Sequence, residues 1–134
     1  MGLILLVEDE PGAAALMRQY IEKGSFEHKL VAFAKAAEAL SYAVKSKVDL
    51  FILDIQLLDY RGTELARQLR SMPEYRFTPI LFTTELGGEE LAAYREIKCY
   101  DFLVKPFTEV EFQKTFQAAL EMGHRCRRVR KFSG

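Results

Sequence analysis

Short, unbroken apolar runs alternate along this chain with longer stretches in which apolar residues return every three or four positions. The first run, Leu3 to Val7, has no polar residue, the pattern of a strand covered on both faces. Pro11 follows where a first helical turn tolerates it, and Ala14, Leu16, Met17, Tyr20 and Ile21 recur at roughly helical spacing until Gly24 supplies a stop. Further strands are predicted at Leu30 to Ala34, Asp49 to Asp54, Pro79 to Thr84 and Asp101 to Val104. Between and after them, helices are predicted at Ala36 to Lys47, Thr63 to Ser71, Glu89 to Lys98 and Thr108 to about Met122. Pro79 enters its strand where no ladder donor is lost, and Thr108 with Glu111 three residues on matches a capping box.

Strictly alternating β and α elements predict a parallel sheet with helices on both faces. Five such units are too few for an eight-fold barrel, which needs about 250 residues. An open, doubly wound α/β sandwich remains, and such sheets bind ligands beyond the carboxyl ends of their strands. The 134 residues suit one domain, and 49% hydrophobic with 28% charged residues excludes a disordered chain. Cys99 and Cys126 form no disulfide framework. No apolar run approaches the roughly 20 residues of a membrane span, and the N-terminus lacks signal-peptide features. A cytoplasmic protein with no membrane contact is expected.

Charge divides the chain. Residues 1–123 carry 14 basic and 19 acidic side chains, net −5, whereas residues 124–134 carry five basic and no acidic ones, net +5. A domain over 1–123 is therefore expected, followed by a basic tail that is either a solvated helix end or the start of a linker to an effector. The body has no general nucleic-acid footprint.

The expected strand ends gather chemistry on one rim. The first strand runs into Glu8, Asp9 and Glu10, the third ends in Asp54, the fourth in Thr83 and Thr84, and the fifth in Lys105-Pro106. Each of these is ordinary alone: an Asp ending a strand usually caps a helix or turn, a Thr pair suits a strand, and Lys-Pro suits a turn. Together they place carboxylates so close that a cation must neutralise them, and Mg²⁺ suits a few carboxylates with water and phosphate oxygens. The set reads as a phosphoryl-handling site. Two other classes share parts of the pattern. An aspartate-nucleophile phosphatase needs a second Asp two residues after the first, where Gln56 stands. A flavodoxin-like redox module needs a phosphate-cradling loop after the first strand, but that loop is acidic.

These residues resemble the receiver domains of two-component response regulators (CheY-like) over about residues 3–122. Leu-Leu-Val-Glu-Asp-Glu is similar to the family's first strand and acidic pair, and Phe-Ile-Leu-Asp to its phosphoacceptor strand. Gly62, Thr84 and the stretch Asp-Phe-Leu-Val-Lys-Pro-Phe at 101–107 match further signatures. The resemblance implies a flavodoxin-like (βα)5 fold with strand order 2-1-3-4-5 and a cis Lys105–Pro106 bond. It implies Asp54 as phosphoacceptor, with Lys105 and Thr84 each taking a phosphoryl oxygen. Mg²⁺ would be held by Glu8, Asp9, Asp54 and the carbonyl of Gln56, and Thr84 and Phe102 would form the switch. On this reading the chain is no conventional enzyme, catalysing only its own phosphorylation and slow dephosphorylation. Its donor would be a sensor histidine kinase or phosphotransfer protein. Its output would pass to an effector domain or a second copy through the face of the helix at 89–98, the last strand and the last helix, including Leu91, Tyr94, Arg95 and Lys98. DNA would be reached only through a separate effector domain, since Tyr94 to Phe107 looks similar to receivers that precede LytTR-type DNA-binding domains. Departures are Leu58 for proline, Glu85 for a small residue, Lys98-Cys99 for Gly-Ala, and an apolar Leu86, which implies a longer-lived phosphate. Glu85 and Leu58 also leave open a receiver-like module that docks without phosphate.

Overall fold

The apolar runs form one wholly parallel sheet whose order, β2-β1-β3-β4-β5, places the first strand inside the sheet. The computed structural model describes residues 2–24, 27–57, 59, 61–85 and 99–133, with 124–133 described as backbone only. The strands are β1 Leu3–Val7, β2 Lys29–Phe33, β3 Leu50–Asp54, β4 Ile80–Thr84 and β5 Asp101–Val104. The helices are α1 Pro11–Gly24, α2 Ala36–Val44, α3 Gly62–Arg70 and α4 Glu109–Ser133, with a single 3₁₀ turn at Pro73–Tyr75. The helix expected at Glu89 to Lys98 lies outside the described residues.

Strand alternation divides the core between the two faces of the sheet. Leu5, Val7, Phe51, Leu53, Ile80 and Phe82 pack with Ala36, Ala39 and Ala43 of α2 and Leu65, Ala66 and Leu69 of α3. On the other face, Ile4, Leu6, Leu50, Ile52, Leu81 and Leu103 pack with Met17 and Ile21 of α1 and with Phe112 and Phe116 of α4. Every residue of β3 and β4 is buried, which is why these strands read as unbroken apolar runs rather than alternating ones. Full burial of each such side chain stabilises the fold by about 1.5–3 kcal/mol.

Element ends differ from the sequence expectation for local reasons. The edge strand β2 starts one residue early, where the Lys29 N–H donates to the Gly2 carbonyl. The strand β3 starts one residue late, because the buried Asp49 uses its carboxylate to accept the Leu3 N–H at 2.8 Å. Past Val44 the chain tightens into a turn, with the Lys45 and Ser46 amides donating to Tyr42 and Ala43. The largest departure is α4, which runs to Ser133 instead of stopping near Met122. Gly123 costs a helix about 1 kcal/mol relative to Ala, yet here it lets α4 cross the start of β3. A Cβ at that position would lie 2.7 Å from the Asp49 carbonyl oxygen.

The capping box at the start of α4 forms as expected: Glu111 Oε1 accepts the Thr108 N–H at 2.9 Å, and Thr108 Oγ1 accepts the Glu111 N–H at 3.1 Å. Gln113 and Gln117, one helical turn apart, donate to the Tyr20 and Gly24 carbonyls and so satisfy the open end of α1. No described helix is long and apolar enough to cross a membrane.

Candidate functional site

The site lies where β1, β3 and β5 run out. Parallel pairing sets Val7 beside Leu53 and Asp54 beside Thr83, so Glu8 and Asp54 emerge together at the carboxyl edge. The Glu8 N–H is held by the Phe33 carbonyl at 3.0 Å, and its carboxylate is buried. Glu8 Oε2 also accepts the Glu10 N–H at 3.2 Å. The cap of α1 is supplied by Glu10, whose carboxylate accepts the Gly12 and Ala13 amides at 3.0 and 2.6 Å. That arrangement leaves Glu8 and Asp9 free of capping duty.

Asp54 is buried, with two donors already on it: the Gln56 N–H at 3.0 Å on Oδ1 and Lys105 Nζ at 3.1 Å on Oδ2. The same ammonium donates to Glu8 Oε1. One carboxylate oxygen from each of Glu8, Asp9 and Asp54 falls within 4.8 Å of the others. Three clustered carboxylates, two of them bonded to the single Lys105 ammonium, leave excess negative charge in a largely buried place. Burial, then the hydrogen bond shared with Asp54, pushes the Glu8 carboxyl up to about 7 against the pull of Lys105. For Lys105, burial lowers the pKa, but the hydrogen bond to Glu8 and the charges of Asp54 and Glu8 outweigh it and raise the ammonium above its ordinary value. An all-oxygen, anionic donor set of this size fits a hard divalent cation such as Mg²⁺.

The glycine eight residues beyond Asp54 has a steric cause. The Gly62 N–H donates to the Ile55 carbonyl at 2.8 Å, and a Cβ on Gly62 would meet the Asp54 carbonyl oxygen at 2.0 Å. Thr84 is fully buried at the end of β4, and its carbonyl accepts the Lys105 N–H at 2.6 Å. By strand alternation it belongs with Phe82 and Phe102 on the α2/α3 face, whereas Asp54, Thr83 and Lys105 continue the α1/α4 face. Phe102 is partly buried against the α2/α3 core. Lys105–Pro106 is cis, as the resemblance implied. Gln56 and Glu85 are exposed, and Leu58 and Leu86 lie outside the described residues.

Glu8, Asp9, Asp54 and Lys105 are thus brought together, with Thr84 and Phe102 set one strand face away. Sequence reasoning missed Asp59, whose carboxylate accepts the Ala36 and Ala37 amides at 3.0 and 2.9 Å and ties the loop after β3 to the start of α2. It also gave Thr83 no role of its own. Cys99 is a free, partly buried thiol whose pKa burial and then the Asp101 charge push up to about 12.

Residues 4–117 match the family described as the response regulator receiver domain. The chain is similar to RpfG, a cyclic di-GMP phosphodiesterase response regulator of Xanthomonas campestris, at 33% identity over 98% of this chain and 35% of that protein. It is similar to PhoB, the phosphate regulon transcriptional regulatory protein of Rhizobium meliloti, at 34% identity over 87% of this chain and 51% of that protein. The chain therefore spans about a third to a half of the length of these relatives. Among solved structures it is similar to the chemotaxis response regulator CheY4 of Vibrio cholerae, with a TM-score of 0.81, 27% identity, and 90% and 99% of the two chains covered. It is likewise similar to the receiver domain of a histidine kinase from Syntrophus aciditrophicus, with a TM-score of 0.79, 25% identity, and coverage of 90% and 91%.

Proposed function

The chain belongs to the response regulator receiver domain family of two-component signalling, and from that premise we propose that Asp54 is its phosphoacceptor, served by Lys105 and by Mg²⁺ held at Glu8, Asp9 and Asp54. The observation that carries this reading is the buried Asp54 carboxylate, held by Lys105 within a cluster of three carboxylates whose oxygens lie within 4.8 Å. A buried carboxylate held by one amide and by an ammonium that it shares with Glu8 is a poor stabiliser and a good nucleophile.

In the reaction an Asp54 oxygen attacks phosphorus in line. The P–N bond of a phosphohistidine, or the P–O bond of a small acyl phosphate, breaks and the leaving group takes the electron pair and then a proton. An aspartyl phosphate results. Lys105 moves from the carboxylates onto a phosphoryl oxygen, and the Thr84 hydroxyl takes another. When bound, Mg²⁺ neutralises charge on the phosphoryl oxygens, with the Gln56 carbonyl completing the protein's share of its ligands. Moving Thr84 opens room beside Phe102 on the shared strand face, which links the chemistry to a surface change. Glu85, being exposed, leaves its charge in solvent, where it is screened rather than set against an anionic donor.

Receiver domains take phosphoryl groups from histidine kinases or phosphotransfer proteins and act on effector domains. For this chain we assign the partner face to β5 and α4, where Phe102, Val104, Phe107 and Lys114 line a groove of about 510 Å³. Leu91, Tyr94, Arg95 and Lys98, also expected there, lie outside the described residues. The output is read as transcription control through a DNA-binding effector domain. The test of the site is incubation with acetyl phosphate and Mg²⁺ followed by intact mass. One added phosphoryl group that disappears with a chelator supports the reading. No adduct with acetyl phosphate or phosphoramidate defeats it and favours a docking module that works without phosphate.

A further inference from the structure

Thr83 presents a fully buried hydroxyl that has no hydrogen-bond partner among the described residues. A buried hydroxyl is normally paired, so an orphan beside a reactive group calls for a physical reason. Its position supplies one. Thr83 is the registered β4 neighbour of Asp54, and adjacent strands lie about 4.8 Å apart. Leu50, Ile52 and Leu81 point to the α1/α4 face, so Asp54 and Thr83, two residues further along each strand, face that same side. Lys105 stands two residues beyond Leu103 in the next strand, whose partner is Thr83. Thr83 therefore lies under the gap between Asp54 and Lys105.

At rest, both Asp54 oxygens are occupied: Oδ1 accepts the Gln56 N–H and Oδ2 accepts Lys105 Nζ. The Thr83 hydroxyl is bonded to neither oxygen in this state. This inference rests on the phosphoacceptor reading. Once Asp54 carries a phosphoryl group, Lys105 is drawn to the phosphoryl oxygens and its bond to the carboxyl group is released. We propose that Thr83 is a further positioning residue of the site, whose hydroxyl donates to the carboxyl group of Asp54 when Lys105 leaves it. The bond is made in the phosphorylated state and lacking at rest, so it biases the protein toward holding its phosphate. A residue of this kind acts differently from Thr84, which belongs to the opposite strand face and reports the phosphate outward.

Thr83→Val keeps the shape and strand preference of the side chain and removes only the hydroxyl, whereas Thr83→Ser keeps the hydroxyl. The probe is beryllofluoride with Mg²⁺, titrated into wild type and both variants, with thermal unfolding of the unliganded proteins measured alongside. Loss of one hydrogen bond to a charged group predicts about 10-fold weaker beryllofluoride binding by Thr83→Val, with unliganded melting unchanged or raised. Thr83→Ser should bind within about twofold of wild type. Equal binding by wild type and Thr83→Val overturns the proposal, as does an equal loss in Thr83→Ser, which would assign the effect to packing of the methyl group. If wild type itself binds no beryllofluoride, the phosphoacceptor reading fails and this inference falls with it. A wild type that binds alongside an indifferent Thr83→Val removes this inference alone.

Discussion

Gly62 and Asp54 are in contact through their backbones, so closely that a methyl group on the Gly62 Cα would lie 2.0 Å from the Asp54 carbonyl oxygen. The glycine after β3 thus bears directly on the placement of Asp54. It lets α3 begin against the end of β3 and fixes where Asp54 points. In Gly62→Ala either the loop or the Asp54 peptide must move. The expected cost is about 1–3 kcal/mol or more, the range of overpacked sites, together with loss of Asp54 phosphorylation. Urea unfolding and intact mass after acetyl phosphate check both. An alanine variant of wild-type stability and reactivity would contradict the contact.

Glu8 makes the metal-free protein pH-sensitive. Its folded pKa, about 7, lies above the unfolded value of 4.5, so the fold favours the protonated carboxyl. The stability it contributes is full below about 4.5 and is lost as pH rises through about 7. Lys105 is also raised, and its contribution is lost only above 10.5, outside this window. Chelator-treated wild type should therefore lose stability between about pH 5 and 8, and Glu8→Gln should flatten that slope. Saturating Mg²⁺ should flatten it as well, because the cation competes with the proton. Equal slopes in wild type and Glu8→Gln, measured by urea unfolding, would sink this account of Glu8.

Asp59 caps a helix that is distant in sequence. Its two oxygens hold the first amides of α2, so Asp59→Ala should cost about 1 kcal/mol and speed hydrogen exchange at Ala36 and Ala37. Asn should recover part of the loss. Unchanged exchange at both amides would show that the cap contributes nothing.

How much of this was legible without coordinates follows from the range of each interaction. Leu3–Val7 and Leu50–Asp54 announce themselves because burial on both faces demands apolar residues at every position. The convergence of Glu8, Asp9, Asp54 and Lys105 was readable because parallel strands deliver their carboxyl ends to one rim. Asp59 was not, since the amides it caps are 22 and 23 residues away and leave no local signal. Gln113 and Gln117 look like ordinary polar helix positions until Tyr20 and Gly24 are placed beside them. The last helix was expected to end near Met122, yet Gly123 continues α4 and is a point of close passage, a case of packing overriding propensity. The resemblance singled out Thr84 of the pair, whereas the register of β3 against β4 sets Thr83 beside Asp54, which sequence alone does not reveal.

The most direct test of the central claim is to identify the residue that carries the phosphoryl group. Wild type treated with acetyl phosphate and Mg²⁺ is reduced with borohydride, which converts an aspartyl phosphate to homoserine, and the peptides are sequenced by mass spectrometry. The account predicts homoserine at position 54 alone, absent when Mg²⁺ is chelated and absent in Asp54→Asn. Homoserine at another aspartate, or at position 54 without need of a divalent cation, would contradict the site built here around Glu8, Asp9, Asp54 and Lys105.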